Sequence, residues 1–474
     1  MKKLLLILFI PIFLSAQNFN DALRISDLNP VVSSKSLALS NSNISLVSDY
    51  SASFINPAGL ALNTKSMLTG GYSFSSFNND VNFFQKNSSY STTSNALNNL
   101  GYVYSFPTRR GSLVLAIGYQ QLKDFNSSLK FSGYNPSSSM INNLSYQNDD
   151  LPYDLGLSFG VFNNSGNYLY DSTIISGGLN QSGNIIEKGN LSSFNLAGAI
   201  EIGKNLFLGA NMNIYTGTYT KERDYFEDDV NNIYQSETSP GIASKDFRSF
   251  YFNDVLEWDL SGIDFRLGLL YKLNNNLSFA AMIKSPSVFT IKEKYIVSGE
   301  SYFANNIGYY VEYPTSRIEY DITTPLEMSL GGSYRIFGLS FTAMINYIDY
   351  TQMEFSDGLS VTIRSRNNKE IKDLFRAVSN YAMGFEYKIP YTNLFARIGY
   401  GYRPSPFNGD PKSFDRKYLS YGIGFLAADV LKIDLGYQHG WWENIGDNYG
   451  TNESRTYQSV DSNSLLFTLT YFID

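Results

Sequence analysis

What most constrains this chain is a one-for-one alternation of apolar and polar residues in many short stretches. In 205–217, Leu206, Leu208, Ala210, Met212 and Ile214 fall on one side, and Gly209, Asn211 and Asn213 on the other. In 392–403, Leu394, Ala396, Ile398, Tyr400 and Tyr402 alternate with Arg397, Gly399, Gly401 and Arg403. Successive strand side chains point to opposite faces. A sheet closed in lipid needs this pattern, apolar outside and polar inside. A helix spanning the bilayer needs roughly 20 consecutive apolar residues. No such run follows the first residues.

The start reads as an export signal, 1–16. Lys2 and Lys3 form the basic end, Leu4 to Leu14 the apolar stretch, and Ser15-Ala16-Gln17 the small-residue cleavage site, with the mature chain beginning at Gln17. Residues 17–64 are rich in Ser, Asn and Ala, do not alternate cleanly, and end in Asn56-Pro57-Ala58-Gly59-Leu60. They read as a separate N-terminal segment. Residues 65–474 read as the barrel.

Candidate strands lie near 65–76, 98–107, 111–124, 194–203, 205–220, 252–273, 276–294, 318–335, 337–351, 378–389, 392–403, 417–427, 430–441 and 462–473. That is about 14, an even number, as single-chain bacterial barrels prefer. A further stretch, 153–162, also alternates. Short connections (107–110, 203–205, 274–276, 336–338, 390–392, 428–429) alternate strictly with long ones (77–97, 125–193, 221–251, 295–317, 352–377, 404–416, 442–461). Outer-membrane barrels have short periplasmic turns and long outer loops. The fold class expected is therefore all-β: a transmembrane antiparallel barrel with both termini in the periplasm, in the outer membrane and in contact with its lipid.

In register, Leu339, Phe341, Ala343, Ile345 and Tyr347 face lipid, while Glu201, Asp264, Arg266, Glu327, Glu386 and Arg397 face the lumen as a paired network bracing a plug. Tyr347, Tyr350, Tyr400, Tyr402, Trp441 and Trp442 fit an interfacial belt. One strand breaks parity. Ile263, Phe265, Leu267, Leu269 and Tyr271 are odd-numbered, but Leu256, Trp258 and Leu260 are even-numbered. A bulge near Ser261-Gly262 would keep all of them facing out, and is the preferred reading. Without it, Leu256, Trp258 and Leu260 would form an apolar pocket wall inside the bore.

Catalytic chemistry finds little footing. His439 is the sole histidine, there is no cysteine, and no Gly-x-Ser-x-Gly elbow occurs. No enzyme, cofactor or metal site is expected. The net charge of −7, more acidic still without Lys2 and Lys3, argues against nucleic acid as a partner.

The segment Ala22 to Leu60, ending in Asn56-Pro57-Ala58 and entering such a barrel, resembles the FadL/TodX family of outer-membrane transporters for long-chain fatty acids and aromatic hydrocarbons. The resemblance implies that 17–64 is a hatch inside the lumen, with Asn56, Pro57 and Ala58 as its motif. It implies hydrophobic small molecules as partners, moved by hatch-gated passive diffusion. It further implies an inward kink of the third strand, assigned here to Gly118, and handling by the barrel assembly machinery during biogenesis. The chain departs from the usual ending, since Tyr471-Phe472 are followed by Ile473-Asp474. Some relatives serve in secretion, so a barrel partner or scaffold of a secretion system is the alternative function.

Overall fold

The structure, a computed structural model, describes residues 17–473. The expected export signal, 1–16, lies outside the described residues. Fourteen strands form the barrel: β1 (Ser66–Phe83), β2 (Lys86–Phe106), β3 (Leu113–Asp124, continued by Ser127–Asn135), β4 (Leu179–Gly203), β5 (Leu206–Asp228), β6 (Phe247–Lys272), β7 (Leu277–Lys284, continued by Val288–Phe303), β8 (Ser316–Thr323, continued by Glu327–Ile336), β9 (Leu339–Asp349, continued by Glu354–Asp357), β10 (Ala377–Lys388), β11 (Leu394–Arg403), β12 (Arg416–Ala427), β13 (Leu431–Asp447) and β14 (Arg455–Ile473). Each pairs antiparallel with its sequence neighbour. β14 returns to β1 from Ser66↔Ile473 to Asn82↔Tyr457 and closes the sheet. Closure leaves no backbone edge in hydrocarbon, where an unpaired amide costs several kcal/mol. The short turns join strands as expected. Ala428 and Asp429 both take positive φ, 51° and 56°, the backbone of a two-residue hairpin that matches strand twist.

The expected faces hold. Phe341, Ile345 and Tyr347 are exposed to the outside and Thr342 is buried inside. Asp264, Arg266 and Arg397 are buried in the lumen. From the belt, Tyr347 and Tyr400 are exposed outward. Tyr350 and Trp442 correct the reading: Tyr350 is buried and its hydroxyl reaches Asp27, while Trp442 lines an internal cavity.

The expected bulge at Ser261-Gly262 is absent. β6 pairs without a register shift with β5 throughout, and with β7 across this whole region. Leu256, Trp258 and Leu260 point into the bore, 6%, 2% and 3% exposed. The parity change has another cause. Ile214, Ile263 and Val288 form one outward row across β5, β6 and β7, and all three are exposed. Four residues further out, the outward row is Thr218, Asp259 and Lys292. The hydrocarbon ends between these rows. Beyond it the outer face meets water and turns polar, while the plugged bore turns apolar inside.

The strands also overrun the membrane. Residues 77–97, read as a loop, continue β1 and β2 to a tight turn at Phe84-Gln85. β5 and β6 likewise stay paired out to Asp228↔Ser249. These extensions fold over a second apolar core containing Phe83, Phe131, Leu151, Phe247 and Phe250. The alternating stretch 153–162 is not a barrel strand. Phe159–Phe162 pairs with Tyr168–Ser172 in a separate two-stranded sheet.

Candidate functional site

The lumen is filled from the front of the chain by α1 (Phe19–Ser26), α2 (Ser34–Ala38), α3 (Ala52–Ile55) and a 3₁₀ turn, Pro57–Leu62. Asn18 caps α1 in a capping box with Asp21, and Ser33 caps α2. Ala22, Ile25, Leu37, Tyr50, Phe54 and Leu60 are at most 1% exposed. Residues so short of regular structure are held by the wall around them.

The hold on residues 34–62 is one of shape. Four pairs of glycines face each other across strands: Gly101↔Gly118, Gly209↔Gly268, Gly384↔Gly399 and Gly422↔Gly436. Each pair leaves a dent in the inner wall, and the hatch sits in all four. A Cβ on Gly209 would lie 2.3 Å from the Ala58 nitrogen, and one on Gly268 would lie 2.0 Å from Asn56 Oδ1. Tyr50 occupies the Gly101–Gly118 dent, Leu39 with Ser40 the third, and Ala38 with Ser34 the fourth. Close backbone approach is a standard use of strand glycine.

Asn56, Pro57 and Ala58 therefore meet the wall at one dent. Asn56 Nδ2 donates to the Ile44 and Leu269 carbonyls, both at 3.2 Å, and Asn56 Oδ1 accepts from the Ala58 N–H at 3.1 Å. The side chain thus ties two hatch segments to β6 while capping the 3₁₀ turn. Neutral hydrogen bonds support the rest: Ser34 Oγ to the Leu466 carbonyl (2.7 Å), Ser40 to Ser420 (2.8 Å) and Ser42 to Thr342 (2.6 Å). Among the described residues, the one side-chain ion pair here joins Lys35 to Glu386, 3.6 Å apart. Burial holds the Lys35 ammonium below its usual range despite Glu386.

Residues 17–32 are held by charge. Asp27, at the C-cap of α1, pairs with Arg403 of β11 and Arg416 of β12. Lys123 Nζ donates to the Arg24 and Asp27 carbonyls, both at 2.7 Å, a cation at a helix C-terminus. Burial alone would raise the Asp27 carboxyl, but Arg403, Arg416 and Lys123 outweigh it and hold it far below the carboxylate range. Arg24 bonds Asp21 at 2.8 Å and Glu187 at 3.3 Å, and its guanidinium lies over the Tyr219 and Trp258 rings, 4.5 and 5.5 Å from their centroids.

Above this charged half is a cavity of about 730 Å³, floored by Arg24, Asp27 and Leu28 and walled by β1–β5 and β12–β14. Its lining mixes apolar groups (Val31, Leu122, Phe125, Ile185, Trp442, Val460) with the cations Lys123, Lys221 and Arg416. On one side it reaches a seam. β2 pairs with β3 only from Asn99↔Gln120 down to Phe106↔Leu113. Further out, β2 pairs with β1 and β3 with β4. Across the gap, Ser94 meets Asp124, and Asn79 Nδ2 donates to the Ser128 carbonyl at 3.1 Å.

Gly118 lies just below the seam. The ladder is unbroken there, Gly118 pairing with Gly101 and Asn195. The register shift falls between Gln121 and Lys123, and the strand is interrupted at Phe125-Asn126. Leu256, Trp258 and Leu260 belong to the core that packs the hatch; the large cavity is lined by other residues. Of the lumenal charges read from sequence, Asp264, Glu327, Glu386 and Arg397 form ion pairs, while Arg266 donates to the Phe54 carbonyl and Glu201 accepts from the Asn205 N–H. Arg397 bonds Glu386 at 2.6 Å and Asp434 at 2.7 Å, and Lys284 bonds Glu327 at 2.8 Å. Sequence reasoning missed Asp27, Arg403, Arg416, Lys123 and the glycine pairs. Recurrent lumen-facing glycines were a visible signal, but which ones face each other depends on register.

A family model described as "Outer membrane protein transport protein (OMPP1/FadL/TodX)" matches residues 13–472. Among solved structures, a Pseudomonas aeruginosa FadL homologue is similar at TM-score 0.55 and 12% identity, covering 93% of this chain and 98% of that one. The Pseudomonas putida toluene transporter TodX is similar at TM-score 0.53 and 14% identity, covering 90% and 95%. A structure titled CymD monoaromatic hydrocarbon channel is similar at TM-score 0.52 and 11% identity, covering 93% and 97%. Comparison with curated protein sequences returns no match.

Proposed function

The chain belongs to the OMPP1/FadL/TodX family of outer-membrane transport proteins, and from that membership we propose that it moves hydrophobic compounds, long-chain fatty acids or similar lipophilic molecules, across the outer membrane by hatch-gated passive diffusion. The solved relatives named for toluene and monoaromatic hydrocarbons support this substrate class. The single observation that carries the reading is the position of the 730 Å³ cavity, with the ion-paired half of the hatch as floor and the β2–β3 seam as side wall.

An apolar solute gains nothing from a water-filled pore, because water rejects it. A path that starts in a half-apolar cavity and leaves through a seam avoids water throughout. Release of Asp27 from Arg403 and Arg416 would let α1 move and uncover the Leu256, Trp258 and Leu260 wall. The cations Lys123, Lys221 and Arg416 suit a solute with an acidic head as well as a neutral one. The hatch motif is then the anchor, Asn56, Pro57 and Ala58 holding the unmoving half. The secretion-scaffold alternative draws no support from the comparisons. Uptake of a labelled long-chain fatty acid and of labelled toluene, by cells with and without the protein, tests the reading. Protein-dependent uptake of either compound is expected. Equal uptake of both in the two strains would sink it.

A further inference from the structure

Glu293 of β7 is a carboxylate buried to 3% exposure. It accepts three hydrogen bonds: from the Gln17 side-chain amide, from Trp258 Nε1 at 2.9 Å and from the Tyr320 hydroxyl at 2.8 Å. All three donors are neutral. Among the described residues no lysine or arginine pairs with it. Its strand neighbour Lys294 pairs with Glu257, and Lys292 is exposed near Glu319. Arg24 is taken by Asp21 and Glu187. The groups around it add more negative charge, since Asp21 is buried beside it on α1. Buried carboxylates keep a cation nearby. This one has a site built for it, and no cation of the described residues fills it.

Gln17 is itself clamped there. It is 7% exposed, and its carbonyl accepts from Asn367 Nδ2 of the helix Val361–Leu374 at 3.2 Å. Ala16, just before it, is where the sequence reading puts signal cleavage. Cleavage there would create a new α-ammonium on a residue whose side chain already touches Glu293. The covalent span between α-nitrogen and side-chain amide is only about 5–6 Å.

We propose that the α-ammonium of Gln17 in the processed chain is the counter-ion of Glu293, so that the outer lumen is a receptor for the protein's own mature N-terminus. The inference rests on the reading of 1–16 as a cleaved signal. The pair ties the front of the hatch to wall strand β7, with Trp258 and Tyr320 as the remaining donors and Asn367 orienting the backbone. It also protects the terminus chemically. A free N-terminal glutamine cyclises when its α-nitrogen lone pair attacks its own Cδ, expelling ammonia and leaving a neutral lactam. An amine held protonated by Glu293 has no lone pair to attack with.

The test uses the full protein isolated from outer membranes in detergent, with heat-modifiable electrophoretic mobility confirming the folded barrel. Terminal sequencing with mass analysis locates the start, and is expected to find unblocked Gln17. Amine-selective acylation is then followed against pH in the wild type, Glu293→Gln and Glu293→Asp. A free α-amine titrates near pH ~7.7–8.0. In the wild type and Glu293→Asp it is expected at least about one unit higher, so acylation at pH 8 runs at least about fourfold slower than in Glu293→Gln. The neutral variant is also expected to accumulate the lactam on storage. A start other than Gln17 overturns the signal reading, and the receptor with it. A Gln17 start that is blocked in the wild type, or whose amine titrates at the free value there, overturns the receptor alone. The wild-type titration decides this even where Glu293→Gln fails to fold.

Discussion

The two halves of the hatch are attached to the same wall by different physics. Residues 34–62 lie in four glycine dents, with hydrogen bonds from neutral groups and the Lys35–Glu386 ion pair. Residues 17–32 stand on Asp27, Arg24 and Asp21, with Arg403, Arg416, Lys123 and Glu187 opposite. Shape complementarity is short-ranged and all-or-none, because a close-packed contact has no intermediate state. Ion pairs in a wet cavity can be exchanged for other ions. The contrast assigns the anchor to the first region and the movable element to the second, which is the half that floors the cavity.

The contrast breaks most visibly at Asp27. Asp27→Ala strands Arg403 and Arg416 without their carboxylate, and removing one partner of a buried pair costs about 3–5 kcal/mol. Single-channel recording in planar bilayers is expected to show frequent openings, with the barrel itself still heat-modifiable. A quiet channel would mean that charge does not hold this half. The pH dependence sharpens the point. The Asp27 carboxyl is depressed in the fold, so its contribution is fully present above the unfolded value near pH ~3.9 and fades only as pH falls through the depressed value. Wild-type conductance should stay flat from neutrality to about pH 4.

At the anchor, Gly209→Ala puts a Cβ 2.3 Å from hatch backbone. Overpacking of this kind costs roughly 1–3 kcal/mol. The expected result is protease sensitivity in residues 50–62 while the Asp27 ion pairs survive. Equal loosening of both halves would show that they move as one body. Ser40→Ala removes one neutral hydrogen bond, to Ser420, and should shift thermal stability by only about 1 kcal/mol.

The smallest effect is expected far from both halves. Glu227 lies past the membrane on β5, where its carboxylate accepts from Met140 N at 2.6 Å and Gln181 Nε2 at 2.8 Å. Burial pushes its carboxyl up to about 7. A raised value means that the folded cap retains the proton, so this stabilisation is complete below the unfolded value near pH ~4.3 and is lost as pH rises through about 7. Proteolysis of 140–178 should quicken across that interval in the wild type and not in Glu227→Gln. Channel conductance should be indifferent to either.

Strand number, closure and the face each strand turns to lipid were readable in the sequence because lipid imposes them residue by residue. An outward side chain such as Ile214, Phe265 or Ile345 must be apolar wherever hydrocarbon touches it, and period-two alternation records that demand locally. The chain's own turns, such as Ala428-Asp429, alternate with long connections for the same local reason. The parity change at Leu256, Trp258 and Leu260 was equally visible, but a bulge and the end of the membrane leave the same mark in one strand. Only the alignment of Ile214, Ile263 and Val288 across three strands separates them. The Asp27 clamp was out of reach because it joins residues hundreds of positions apart, Asp27 with Arg403 and Arg416, and the glycine dents because glycines on paired strands meet only in one register. Which glycine faces which, and which cation meets which carboxylate, is set by register and closure, and those belong to the assembled sheet and to no single segment of it.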